Sequence, residues 1–255
     1  LETVVKDWQR DGAAASTIAK RISTLREVWR SLAPDDALPH ACERITRPRL
    51  PKPKARARPL PLIADVLARV QAVTPSHDEP SKTHARLRVL AWTGQPPALV
   101  KQIAPEHVRW DATPPELYVQ PRKKGEGVEG GWISLIPPAV EALKAFFAAD
   151  AHRGAWNDGV IHRAWSRAIA RTQHDLRAVD RHDDAARLAG MRPYDLRHSF
   201  LTAMGTATKD LHAVSKYARH ADIRTTLIYM EGAAPTLIRN AVETFAAALP
   251  TMAPV

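Results

Sequence analysis

The chain reads, near its end, Arg192-Pro193-Tyr194-Asp195-Leu196-Arg197-His198, followed by Arg219-His220 and then by Thr225-Thr226-Leu227-Ile228-Tyr229. An arginine can place two parallel N–H donors on the oxygens of a phosphate. A histidine can donate to a further oxygen or move a proton, and a tyrosine hydroxyl can act as a covalent nucleophile. The order and spacing of these residues suit chemistry on a DNA phosphate.

Composition favours a polyanionic partner. The 255 residues include 37 Lys+Arg against 27 Asp+Glu, which gives a net charge of +10 and a pI near 10.0. Such an excess favours nucleic acid first and an anionic membrane second. No apolar run approaches ~18 residues, so we expect no transmembrane helix. No secretory signal pattern is present at the start.

Hydrophobic residues make up 45% of the chain, enough to form a core in one large domain or two smaller ones. The single cysteine, Cys42, excludes an intrachain disulfide and is compatible with a reducing cytoplasm. The histidines lack metal-site spacing, so no metal is expected. Because the chain begins at Leu1 rather than Met, we expect a fragment of a longer protein.

Residues 3–32 predict two helices. The second carries apolar residues at helical spacing, with Ser16 or Thr17 as its cap: Ile18, Ile22, Leu25, Val28 and Trp29. An ordinary amphipathic helix and a DNA-facing helix fit this pattern equally well.

A basic linker follows over residues 44–58. It contains no acidic residue, and its prolines disfavour helix. A flexible tether and a stiff strap along a phosphate backbone are both compatible with this composition, and the one-signed charge favours the strap. The residues predicted to contact DNA are Arg44, Arg47, Arg49, Lys52, Lys54, Arg56 and Arg58.

The remainder predicts a mainly α fold with a small antiparallel β-sheet. Helices are expected over residues 62–73 and up to Thr93-Gly94, and a further helix opens at Pro137-Pro138. Strand character appears at residues 108–110, 117–120 and 132–136, with turn residues between them. Helices dominate from there to the end.

The three stretches resemble the C-terminal catalytic boxes of the tyrosine recombinases, the phage-integrase family. The resemblance implies a partial helical core-binding domain over residues 1–45, a linker over 46–58 and a catalytic domain over 59–255. It implies site-specific recombination or integration of a mobile element on double-stranded DNA through a 3′-phosphotyrosyl intermediate, with no cofactor. The expected location is cytoplasmic and nucleoid-associated.

The resemblance also implies roles for individual residues. Tyr229 takes the nucleophile position and Arg197 that of the second catalytic arginine. Arg219-His220 matches the family's Leu-Gly-His box, so His220 takes the phosphate-contacting position and Arg219 stands where glycine is usual. Tyr194 stands where histidine is more frequent, so it would donate a hydrogen bond but be a poor acid or base near pH 7. Tyr217 is the close rival of Tyr229, but it precedes His220.

A lysine on a β-turn is the family's general acid. Arg122-Lys123-Lys124-Gly125 follows the second predicted strand, so Lys124 is the first choice and Lys123 the second; Lys123 is also a DNA-contact candidate. The tail carries an amphipathic helix over residues 236–249. It packs either on its own domain or, as in the family, on a neighbouring copy of a homo-oligomer.

The first box of the family is the one that departs furthest in this chain. Where the family reads Thr-Gly-x-Arg-x-x-Glu, this chain has Pro96 for the arginine and Leu99 for the acid in Thr93-Gly94-Gln95-Pro96-Pro97-Ala98-Leu99. Three alternatives follow: a nearby cation substitutes, the enzyme is slow, or the protein is a catalytically impaired DNA-binding relative. The candidate substitutes are Arg86, Arg88 and Lys101.

Overall fold

The computed structural model describes residues 2–32, 57–121, 130–220 and 225–227. The chain divides into two compact units, Leu1–Pro53 and Lys54–Val255. This division falls inside the predicted linker. Within the described residues, no helix has the length and apolarity needed to cross a bilayer.

The described part of the first unit is a helical pair, α1 (Glu2–Arg10) and α2 (Ala15–Leu32). Ile18 and Ile22 are fully buried between the helices, against Val5 and Trp8. The predicted cap at Ser16 or Thr17 is wrong. The carbonyl of Ala14 accepts the first helical hydrogen bonds, so α2 begins earlier and both hydroxyl residues lie inside its first turn.

The core of the second unit is built from helices α3 (Leu60–Val73), α4 (Pro80–Thr93), α6 (Pro137–Ala148) and α7 (Asp158–Arg177). Helix α3 packs against α7 and α4, and α4 also packs against α6. Trp165 of α7 and Phe146 of α6 are among the largest side chains that are fully buried. The other α-helices of the second unit's described part are α5 (Pro97–Val100), α8 (His182–Arg187), α9 (Asp195–Thr208) and α10 (Leu211–Ala218).

A small sheet lies after α5, with strands β1 (Val108–Arg109), β2 (Glu116–Val119) and β3 (Gly131–Ser134). Neighbouring strands pair antiparallel in the order β1-β2-β3, with Leu117 opposite Ile133 and Val119 opposite Gly131. The side chains of Leu117, Val119 and Ile133 are buried, as expected when one face of a sheet packs on a core. The prediction of a mainly helical fold with a small antiparallel sheet is confirmed.

Gly94 ends α4 and places its carbonyl beside α9. Its φ of +62° is the left-handed conformation that favours glycine. A Cβ atom built on it would lie 2.4 Å from Cδ1 of Phe200, so the ring of α9 leaves no room for a side chain. The close contact brings the end of α4 against the helix that carries Arg197.

Candidate active site

Arg197 is the centre of the candidate site. It lies in the first turn of α9, is 2% exposed, and donates from Nη1 to the carbonyl of Gly94 at 2.7 Å. Its Nη2 donates to the carbonyl of Ala218 at 2.6 Å. One guanidinium therefore connects the ends of α4 and α10 to the start of α9.

His220 extends this cluster. Its Nε2 lies 3.1 Å from Nη2 of Arg197, and its Nδ1 lies 2.8 Å from Oγ1 of Thr226, which is fully buried. A guanidinium can only donate, so Nε2 accepts and the proton of a neutral ring is on Nδ1, where it is donated to Thr226. The structure thus joins one residue from each of the three C-terminal stretches.

Arg219 connects the turn before His220 to the sheet. It caps α10 with a φ of +55°, a conformation that explains why glycine is usual at this position of the family's box. Its Nη1 lies 3.5 Å from the carbonyl of Val119 in β2. A Cβ atom on Gly131 of β3 would lie 2.9 Å from the same nitrogen. The side chain of Arg219 therefore fills the space beside Val119 and Gly131, which pair at one end of β2 and β3.

Tyr194 stands immediately before α9 and is 44% exposed. Its ring makes an edge contact with His198, with centroids 5.5 Å apart and an angle of 70° between the planes. Tyr194 is therefore accessible from solvent. It lies one helical turn before His198 and close in sequence to the buried Arg197.

Tyr217 is a packing residue. Its ring stacks on Phe200 at 5.5 Å between centroids, and its hydroxyl has no hydrogen-bond partner among the described residues. Burial raises the pKa of Tyr217 well above its ordinary value, and the charge of Arg197 offsets only part of that shift. A hydroxyl held protonated in this way is a poor nucleophile.

Pro96 has a structural function at the start of α5. Its carbonyl accepts hydrogen bonds from the backbone of Leu99 and Val100, and Pro97 occupies the first helical position, which suits proline. Leu99 is buried in the core rather than exposed to a ligand. The turn that holds an arginine in the family serves here as a helix start.

Two of the three candidate substitutes for the missing arginine have other structural contacts. Arg86 is buried and donates to the carbonyls of Ala151, Arg153 and Ala155 at 3.0, 3.1 and 3.4 Å. Burial lowers its pKa from the ordinary value. Lys101 pairs with Asp158 at 3.1 Å.

Arg88 is the third candidate substitute. It is half-buried on α4 and makes no hydrogen bond or ion pair within the described part of the chain. No contact connects it to Arg197 or His220 there.

Arg58 holds the end of the linker on α9. Its backbone N–H donates to Oγ of Ser199 at 2.9 Å, and its side-chain Nε donates to the carbonyl of Arg187. The DNA contact predicted for Arg58 remains a prediction, because the structure shows it in contact with protein. The remaining predicted DNA-contact and catalytic residues lie outside the described ranges, unlike Arg58. They are Arg44, Arg47, Arg49, Lys52, Lys54, Arg56, Lys123, Lys124 and Tyr229.

Sequence reasoning missed several parts of this site. The carbonyls of Gly94 and Ala218 leave no signal in a sequence, because every residue has one. Thr226 belongs to the nucleophile box, but its contact with His220 was not predicted. Among the described residues, no group of His, Cys, Asp and Glu could hold a metal ion.

Comparison with known proteins gives matches of two kinds. No family model matches the chain. The tyrosine recombinase XerD of Mycobacterium tuberculosis (strains CDC 1551 / Oshkosh and ATCC 25618 / H37Rv) is 32% identical over 108 residues, which cover 40% of this chain and 35% of that protein. The match thus spans about a third of the length of this relative.

Solved structures share the fold. The Tn1549 transposon integrase in complex with transposon right end DNA superposes with a TM-score of 0.67 and 14% identity, covering 96% of this chain and 84% of that one. XerH site-specific recombinase bound to a palindromic difH substrate, in a post-cleavage complex, gives a TM-score of 0.62 and 14% identity, covering 91% and 68%. Together these likenesses confirm the resemblance inferred from the three motifs.

Proposed function

We propose that this chain, a relative of the tyrosine recombinases in fold and in a 108-residue stretch of sequence, binds double-stranded DNA and cleaves and rejoins its strands. The observation that carries the proposal is the contact series from Arg197 through His220 to Thr226. These residues come from three separate motifs and form one series of contacts. Its last member, Thr226, is three positions before Tyr229 in the sequence. Among the related structures, XerH is bound to a palindromic difH substrate and the Tn1549 integrase is bound to transposon right end DNA.

The site has to exchange its internal contacts for a phosphate. In the described arrangement the lone pair of His220 Nε2 accepts from Arg197, so that atom presents no proton to a ligand. A phosphate oxygen placed between the guanidinium of Arg197 and the imidazole of His220 would accept from the guanidinium. His220 would then donate from Nε2 after taking up a proton or changing tautomer. Both groups would stabilise negative charge on the non-bridging oxygens.

The reaction then follows in two balanced steps. The hydroxyl oxygen of Tyr229 forms a bond to phosphorus and loses its proton to water, while the bond to the 5′-oxygen breaks. Lys124, or Lys123 as the alternative, gives a proton to that oxygen, which leaves as a 5′-hydroxyl. Rejoining reverses the roles: a 5′-hydroxyl attacks the phosphotyrosyl link and Tyr229 is released. The phosphotyrosyl bond preserves the phosphodiester, so no nucleotide cofactor is consumed.

The proposal includes the parts of the chain that would hold DNA. The basic linker would follow the phosphate backbone, and residues 1–45 would supply a partial core-binding domain. Neutralising Arg47, Lys52 and Arg56 should flatten the slope of log K against log salt by about 0.9 for each lost contact on duplex DNA. Copies of the chain would associate on DNA through residues 236–249. Such a protein would work in the cytoplasm, at the nucleoid.

A second candidate function is supported by Pro96. The loss of one preorganised donor to the transition state typically costs ~10²–10³ in rate, so a catalytically impaired DNA-binding relative remains an alternative. This alternative retains the DNA site and removes only the covalent step. It therefore predicts the same binding and no adduct.

An adduct assay tests the proposal. Duplexes bound by the full chain are selected from a random library, and the selected sequence is prepared with a nick near the cleavage position so that the adduct is trapped. The proposal expects a protein–DNA band on a denaturing gel, and Tyr229→Phe should remove it. Tyr217→Phe is the matched control and should retain it. Binding without a band in the wild type would establish the impaired relative, and no selection of duplex DNA would overturn both candidates.

A further inference from the structure

The chain differs from the family pattern at two arginine positions. It lacks an arginine at position 96, where proline stands, and it has one at position 219, where glycine is usual. The first change removes a cation from the candidate site and the second adds one beside His220. Both changes concern the same kind of side chain within the described part of the second unit.

The backbone at position 219 makes the added arginine informative. A residue with a side chain is less stable in the left-handed conformation than glycine. Arg219 has a φ of +55°. Glu79, Asp150, Asp180 and Lys209 also adopt a positive φ, and of these five residues only Arg219 adjoins His220.

The guanidinium of Arg219 lies at the end of β2. Its Nη1 lies 3.5 Å from the carbonyl of Val119, and this distance is at the upper limit for a hydrogen bond. Val119 and Gln95 line the same small cavity. Gln95 stands between Gly94, whose carbonyl accepts from Arg197, and Pro96. Arg219 therefore contacts the strand residue that shares a cavity with the residue before Pro96.

We propose that Arg219 supplies the cation that is missing at position 96. Its guanidinium would contact a non-bridging oxygen of the same phosphate that Arg197 and His220 bind. The proposal rests on the proposed function, because it assumes that a DNA phosphate enters this site. It makes Arg219 a catalytic residue that no sequence motif assigns.

Two of the other cations near the missing position fit this task less well, and the third, Arg88, is tested directly in the experiment below. Arg86 and Lys101 have partners that they do not share with Arg197 or His220: backbone carbonyls of residues 151–155 and the carboxylate of Asp158. Arg219 differs from both because it adjoins His220 in the chain and shares its turn. The competing interpretation is a structural clamp, in which Arg219 only holds the hairpin to α10.

A methylphosphonate scan separates a phosphate contact from a clamp without requiring cleavage. Single methylphosphonates, which are neutral, replace successive phosphates of the selected duplex, and the affinity of the full chain is measured for each. At the phosphate held by charged donors, neutralisation should weaken binding by the wild type roughly 10- to 100-fold. Any variant that has lost one of these donors should show a smaller penalty at that position.

Arg219→Ala, His220→Gln and Arg88→Ala are scanned in parallel. We expect the penalty at one phosphate to shrink about 10-fold in Arg219→Ala and to shrink at the same phosphate in His220→Gln. Arg88→Ala removes one positive charge elsewhere on the unit and should leave the scan unchanged. Arg219→Lys retains the charge with fewer donors and should fall between Arg219→Ala and the wild type.

Each other outcome overturns the proposal in a recognisable way. A scan of Arg219→Ala that matches the wild type identifies a clamp, and a change at a different phosphate excludes a shared contact. A change in Arg88→Ala at the His220 phosphate would identify Arg88 as the substitute. A flat scan in the wild type would contradict the proposed function itself. Circular dichroism melting of each variant confirms that the protein tested is folded.

Discussion

Two buried arginines of the second unit, Arg86 and Arg197, use the same chemistry for different purposes. They are 5% and 2% exposed, and each donates hydrogen bonds to backbone carbonyls of elements far away in sequence. Arg86 joins α4 to residues 151–155, where its guanidinium also lies 5.2 Å from the ring centroid of Trp156. Arg197 joins α9 to the ends of α4 and α10.

The difference between the two lies in the group beside the carbonyls. The described partners of Arg86 are carbonyls and an aromatic face, none of which can change protonation near neutral pH. Arg197 contacts His220, which can, and His220 leads to the stretch that carries Tyr229. A buried arginine is therefore weak evidence of function by itself, and a titratable neighbour that leads to a nucleophile is stronger evidence.

The largest expected effect separates the two arginines by activity. Arg197→Lys should lower the rate of adduct formation by ~10²–10³, because lysine retains the charge but loses the fork that serves several acceptors. Arg86→Lys should leave the rate within about 3-fold of the wild type at a temperature where both are folded. The measurement is single-turnover adduct formation at saturating protein. Equal losses in the two variants would show that Arg197 acts only through stability.

The free energy of unfolding should respond to Arg86 more strongly than the rate of adduct formation does. Arg86→Met should lower the free energy of unfolding by about 2–4 kcal/mol, because carbonyls of residues 151–155 lose their donors inside the protein. The value comes from the midpoint and slope of urea unfolding followed by tryptophan fluorescence. Arg153→Ala, which keeps the backbone carbonyl at that position, is the control and should change stability by less than about 0.5 kcal/mol. An unchanged midpoint for Arg86→Met would contradict its structural assignment.

An arginine returned to position 96 should make up for a missing Arg219. The φ of −69° and ψ of 154° at Pro96 are open to any residue, so the backbone accepts the change. We expect Pro96→Arg to raise the adduct rate of Arg219→Ala by about 10-fold and that of the wild type by less. Equal gains in both backgrounds would show that the two positions act independently. No gain in either would leave Pro96 as a helix start alone.

Tyr217→Phe should have almost no effect on activity and a small effect on stability. The hydroxyl is buried without a described partner, so removing it should raise stability by up to about 1 kcal/mol or leave it unchanged. The raised pKa also has a sign: above about pH 10 the unfolded chain loses this proton first, so wild-type stability falls there. Tyr217→Phe should remove that decline. A loss of the adduct in this variant would instead make Tyr217 the nucleophile.

The smallest expected effect concerns His84, which lies on α4 together with Arg86. Burial lowers the pKa of His84 below 6.5, and the charge of Arg88 makes a smaller contribution. The unfolded chain therefore binds a proton first as pH falls, so stability decreases below about pH 6.5 and levels off below the folded pKa. His84→Gln should flatten this part of the stability profile. Adduct formation should keep the same pH dependence, because His84 does not touch Arg197.

Local signals allowed much of the fold to be predicted. Pro137 opens α6 and Gly94 ends α4, because proline at the first helical position and a left-handed glycine after the last are favoured by the backbone itself. The alternation of buried residues in β2 is equally local. The cap predicted for α2 was wrong because the preference for Ser or Thr at a cap position is weak. The carbonyl of Ala14 accepts the first helical hydrogen bonds, so the helix begins before Ser16 and Thr17.

The site could be predicted only in part. The motifs identified Arg197 and His220, and their contact follows from the fold that the motifs indicate. The carbonyl of Gly94 comes from a residue 103 positions away from Arg197, and the reach of Arg219 to Val119 spans 100 positions. Such pairings depend on how helices and strands pack, so no local pattern signals them. The hydrogen bonds from Arg86 to the carbonyls of residues 151–155 are a further example.

The same separation has a consequence during synthesis. A ribosome adds about 5–20 residues per second, so roughly 5–20 s pass between the appearance of Gly94 and that of Arg197, which is 103 positions later. During this interval the basic linker has been made, whereas Arg197 and His220 have not. Under the proposed function, a chain at this stage would hold the part that follows the phosphate backbone and lack the part that cuts.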